Sequence, residues 1–185
     1  MFKPLIRRFT GNHRLVNSVD FIFKILLIYA AWKIFFFLVS MPSFPLHTSW
    51  VHFNDWLAGV TIIPVAYIFK HWMGYKLIYN QRNIIISGTQ GLFLANHCLG
   101  IAPMVIFAGF ILAYKGKWIH KLWYIPAGIL FIYGINVLRM LALAQTEVCC
   151  SMIYFELAHS WVYLFLSYGM FFLLVALWMN VFSRK

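Results

Sequence analysis

Long apolar runs separated by short clusters of Lys and Arg make up most of this chain. Four runs, at about 19–40, 98–114, 122–140 and 159–181, approach the roughly 17 to 25 residues that a helix needs to cross a bilayer, the second at the short limit. A fifth apolar stretch, WLAGVTIIPVAYIFKHWMGY at 56–75, lies between the first and second. If it crosses, the basic loop YKGKWIHK at 114–121 falls on the side opposite the basic N-terminus. If it does not, Lys3, Arg7, Arg8, Arg14, Lys115, Lys117, Lys121, Arg184 and Lys185 share one side, as the positive-inside rule demands of the cytoplasm. The pattern therefore predicts an amphipathic or partly buried helix over 56–75, lying at the outer surface and interrupted near Pro64. Lys70, Lys76 and Arg82 are then outside.

After Gly74, the sequence YKLIYNQRNIIISGTQGLFLANH is rich in β-branched and aromatic residues and punctuated by Asn80, Gly88 and Gly91, which reads as two or three short strands with turns. Such backbone cannot face lipid unpaired, so it should cap the outer end of a helical bundle and lead directly into Asn96, His97 and Cys98. The expected fold class is an all-α polytopic membrane protein. About four transmembrane helices carry an outer-face amphipathic helix and a small β-hairpin cap before Cys98, all within one integral membrane domain over residues 1–185.

Composition points the same way: 63% of the residues are hydrophobic and only 10% charged, which no ordinary soluble domain matches. The net charge of +11 sits mainly in clusters flanking apolar runs, so it orients helices and does not predict nucleic-acid binding. The basic start followed by an apolar run imitates a secretory signal. The run from Val19 to Val39 is long and lacks a small-x-small cleavage site, however, and reads as a retained helix. Lys24 can reach the cytoplasmic headgroups, whereas Lys33 sits deeper and must extend toward the outer face.

Three side chains with reactive potential end apolar runs on one expected face: Cys98, Arg139 and His159. Asn96 would cap the helix that begins near Gly100, with Pro103 in its first turn, placing the Cys98 thiol at the positive end of a helix dipole that favours thiolate. Arg139 follows Asn136 by one helical turn and would bind a carboxylate or an oxyanion. His159 would exchange the thiol proton, with Glu156 three residues earlier to orient it. Each has a bland counterpart: a small packed thiol, a snorkelling anchor, an interfacial imidazole. His47, His52, His97 and His159 also fall outside, but no H-x-x-x-H or C-x-x-C spacing accompanies them, so neither a metal nor a cofactor is expected.

The ordered set of Cys98, then N-V-L-R ending at Arg139, then His159 followed by Gly169 in an aromatic helix, resembles the exosortase and archaeosortase family over about residues 55–182. The stretch ISGTQGLFLANHCLG looks like that family's strand segment leading into its cysteine. Cys98 is followed by Leu99 and Gly100 where Ser-Gly is commoner, and the N-terminal helices are fewer than in larger members. The resemblance implies a membrane cysteine protease or transpeptidase in a prokaryotic cell membrane, with both termini cytoplasmic. Its partners would be exported proteins ending in a short motif, an apolar helix and a basic tail, cut near the outer face. Cys98, Arg139 and His159 would be its catalytic residues, supported by Asn136 and Glu156.

Two other readings stand beside it. One is a membrane thiol-disulfide oxidoreductase exchanging Cys98 with Cys149 or Cys150, against which the lack of C-x-x-C weighs. The other is a non-catalytic membrane assembly protein whose polar residues only anchor helices.

Overall fold

The structure is a computed structural model that describes residues 13–149 and 163–182. These form helices α1 (His13–Ser40) and α2 (His47–His71), strands β1 (Leu77–Tyr79), β2 (Asn83–Ile86) and β3 (Leu92–Phe93), and a 3-10 turn, Asn96–Cys98. Helices α3 (Ile101–Ala113), α4 (Trp118–Cys149) and α5 (Tyr163–Leu177) follow, the last continuing as a π turn, Trp178–Phe182. The chain is thus mainly helical with one small sheet. Among the described residues two stretches, Ile22–Ser40 of α1 and Trp118–Cys149 of α4, are long and apolar enough to cross a membrane.

The 98–114 run is not a full crossing helix. α3 has 13 residues, about 20 Å at 1.5 Å per residue, against roughly 30 Å of hydrocarbon. Gly100, at φ +72°, stops it on one side. On the other, the Lys121 ammonium donates to the carbonyls of Leu112 and Tyr114 at 2.9 and 2.7 Å and turns the chain into α4. The 122–140 run is correspondingly part of something longer: α4 has 32 residues and continues past Arg139 to Cys149. Arg139 therefore does not close its helix.

The segment expected at 56–75 begins nine residues earlier, at His47, and is not interrupted at Pro64. Proline has no N–H for the carbonyl four residues back, which here belongs to Val60. The hydroxyl of Tyr133 on α4 donates to that carbonyl at 3.0 Å and replaces the missing bond. Along α2, Leu57, Ala58, Thr61, Ile62, Val65, Ala66 and Phe69 form one buried stripe with helical spacing.

Two cores result. The first joins the α2 stripe to Ile84, Ile86, Leu92 and Leu94 of the sheet segment, to Cys98 and Leu99, and to Met140, Leu143 and Ala144 of α4. The second joins Phe107 and Phe110 of α3, Tyr124 of α4, and Phe171, Val175 and Trp178 of the last helix. α2 contributes only to the first. Gly128 lets α3 and α4 approach closely in the second, since a Cβ there would lie 2.2 Å from the Phe107 ring.

The expected β-hairpin is a three-stranded antiparallel sheet in the order β1-β2-β3, with Leu77 opposite Ile86 and Ile84 opposite Leu92. Asn80 Oδ1 accepts from the N–H groups of Arg82 and Asn83 and shapes the first turn.

Candidate functional site

The site is built where the sheet hands the chain to α3. Leu94 extends the sheet by donating its N–H to the Arg82 carbonyl at 2.8 Å. The 3-10 turn follows, closed by Cys98 N–H to the Ala95 carbonyl. Asn96 does not cap a helix: the turn has no side-chain cap, and Asn96 Oδ1 instead accepts from Arg82 Nη1 at 2.8 Å. Cys98 lies two residues before Gly100, the N-cap of α3, and so sits outside the first turn whose dipole was expected to act on it.

Cys98 is 6% exposed and in the sheet-side core. Arg139, from the middle of α4, is buried beside it and donates through Nη1 to the Cys98 carbonyl and to Asn136 Oδ1, each at 3.2 Å. The N-x-x-R spacing thus does put both side chains on one helical face. Asn136 is itself buried, and its Nδ2 donor has no acceptor among the described residues. Gly100 lies over Asn136 so closely that a Cβ would stand 3.3 Å from Asn136 Cγ. Left-handed backbone and close approach both require glycine at this position.

His159 and Glu156 lie outside the described residues, as does Cys150. Tyr168 on α5, nine residues after His159, lines a cavity with Asn96 and His97 and so brings that helix to the Cys98 turn. Neither Cys98 nor Cys149 is in a disulfide. The Cys149 thiol, at the end of α4, accepts from Gln145 Nε2 at 2.9 Å.

Two clamps around this turn were not anticipated from the sequence. Arg82 donates through Nε to Asp55 Oδ1 on α2 while its Nη1 holds Asn96, so one guanidinium ties the turn before Cys98 to a helix. Glu147 Oε1 accepts the Gly91 N–H at 2.8 Å and ties the sheet to the far end of α4. The signal was scarcity: the chain has only four acidic residues, and in so apolar a sequence each calls for a partner.

Compared with protein families, with curated proteins and with solved structures, the chain finds no match.

Proposed function

We propose that this chain is a membrane-embedded cysteine protease or transpeptidase that acts on exported proteins ending in an apolar helix and a basic tail. The observation that carries the reading is the buried contact between Cys98 and Arg139. Residues 41 positions apart are joined through the Cys98 carbonyl, with Asn136 and Gly100 fitted around them. An arginine buried in an apolar bundle is a costly anchor. Beside a thiol it has a use, because attack on an amide creates an oxyanion.

In the proposed reaction Cys98 Sγ attacks the scissile carbonyl and its proton passes to His159. Arg139 and the Asn136 amide stabilise the oxyanion. His159 returns the proton to the departing amine, leaving an acyl-thioester on Cys98, which water or an acceptor amine then resolves with release of the thiol. Glu156 orients His159.

The membrane placement draws on the exposed surface. On α4 the large exposed apolar side chains run from Trp118 to Leu138 and stop before Arg139. That interval is about 30 Å, one hydrocarbon thickness. On α1 they run up to Leu38, close to the end of the helix at Ser40. The reacting groups then lie at the rim of the belt, on the side of the sheet. α2 stays on that side, since Trp50 near its start meets Trp32, Phe35 and Phe36, and Phe69 near its end meets Tyr75. With 56–75 not crossing, the termini and the 115–121 cluster share the cytoplasmic side of a multi-pass protein in a prokaryotic cell membrane.

The test is processing, in cells, of a co-expressed exported protein with such a C-terminal signal. Cys98→Ala and Arg139→Ala are expected to abolish it, and His159→Ala to slow it by about 100-fold or more. Undiminished processing in Cys98→Ala overturns the proposal.

A further inference from the structure

Lys33 is a cation that the proposed chemistry does not use. It lies on α1 seven residues before Ser40, where the helix and its apolar stretch end. That is about 10 Å from that end. Its Nζ stands 5.6 Å from the centroid of the Tyr29 ring, and among the described residues no carboxylate pairs with it. An ammonium at such depth is unfavourable unless an anion or water reaches it.

Lys33 opens into a cavity of about 300 Å³ that it shares with Tyr29, Asn54, Asn96, His97 and Tyr168. No acidic residue is among the described residues that line it. Asn96 lines the cavity and gives its Oδ1 to Arg82, which leaves its amide N–H groups as the donors it can offer. Beyond a shared wall of Trp32, Trp50 and Ile101 lies a groove of about 840 Å³ between α1, α2, α3 and α4. Ile28, Ala31, Phe35, Val105, Ala108 and Leu130 make it apolar, and its one hydroxyl, on Tyr133, is already bonded to Val60.

We infer that the two spaces form one binding site for an anionic phospholipid, its phosphate held by Lys33, His97 and Asn96 and an acyl chain lying in the groove. Charge complementarity selects this occupant. An apolar peptide helix would fill the groove and bring no anion to Lys33, whereas a phospholipid carries anion and chain on one molecule. The lysine stem lets the ammonium reach up toward a phosphate near the outer rim. The inference rests on the membrane placement proposed above and needs no chemistry at Cys98.

The experiment is native mass spectrometry of the full chain, purified in detergent and titrated with phosphatidylglycerol, phosphatidylcholine or glycerophosphoglycerol. Phosphatidylglycerol is expected to be retained and phosphatidylcholine less so. The headgroup without chains should leave no adduct, which separates a lipid from a free phosphate ester. Lys33→Gln should weaken retention about tenfold or more, as loss of a charge-assisted contact predicts. Ala108→Phe, which fills the groove and leaves Lys33 in place, should do the same. Equal retention in Lys33→Gln, equal retention of both lipids, or binding of the headgroup alone overturns the site. Cys98→Ala should retain the lipid unchanged, so failure of the catalytic reading is seen separately. Carbonate extraction of cell membranes checks the placement itself: a chain released into the supernatant overturns both.

Discussion

A single glycine shows how tightly the Cys98 turn is specified. Gly100 combines φ +72° with a neighbour, Asn136, that a Cβ would meet at 3.3 Å. A left-handed non-glycine residue costs about 1–2 kcal/mol, and Gly100→Ala must in addition push Asn136 away from Arg139. Thermal unfolding in detergent is expected to show a loss of at least that size, and an unchanged midpoint would refute the assignment. Arg82 and Asp55 act at the same scale but partly in water, with side chains 21% and 29% exposed. The value of that contact therefore lies in placement more than in stability. Cys98 and Arg139 were legible as candidates because apolar runs make a thiol and a cation conspicuous. Their contact was not, because it runs through a backbone carbonyl, which every residue possesses. Arg82 was legible only as a charge on the wrong side, since its partners lie 27 and 14 residues away on separate elements.

Among the elements, α2 is the clearest case of a local rule overridden by a neighbour. Pro64 was expected to break the helix, and in isolation the lost bond and ring clash would do so. Tyr133 supplies the donor instead. The two residues should therefore be coupled. Tyr133→Phe is expected to destabilise the chain by about 1 kcal/mol by leaving the half-buried Val60 carbonyl without its donor. In a Pro64→Ala background, where residue 64 regains its N–H, the same change should cost much less; additive losses would exclude the coupling. Tyr124 makes a similar bond from α4 to the Leu174 carbonyl, one turn before the π turn. Helix boundaries were read less well than helix existence. Hydropathy marks where a segment is apolar, whereas α4 continues beyond its apolar part because Leu143 and Ala144 pack into the sheet-side core and Glu147 holds Gly91.

For the molecule as a whole, the division into two cores decides how the chain is expected to lie in a bilayer. Cysteines placed at exposed Trp72 and at Lys117 in a Cys98→Ala, Cys149→Ala, Cys150→Ala background should label differently. A membrane-impermeant maleimide is expected to reach Trp72→Cys in intact cells and Lys117→Cys only after permeabilisation, and the reverse pattern would invert the proposed topology. The predominance of helix and the small sheet before Cys98 were readable from hydropathy and residue type. The number of helices long enough to cross a membrane was not, because the thirteen residues of α3 are strongly apolar and fall short only in length. If the proposed membrane placement holds, that shortness bears on biogenesis. A segment of about 20 Å is a poor substrate for insertion by itself, but α3 and α4 are joined by a tight turn whose carbonyls Lys121 gathers. In the proposed topology that turn stays cytoplasmic, so the pair would settle as one unit only after the strand segment and Cys98 had been carried to the outer side.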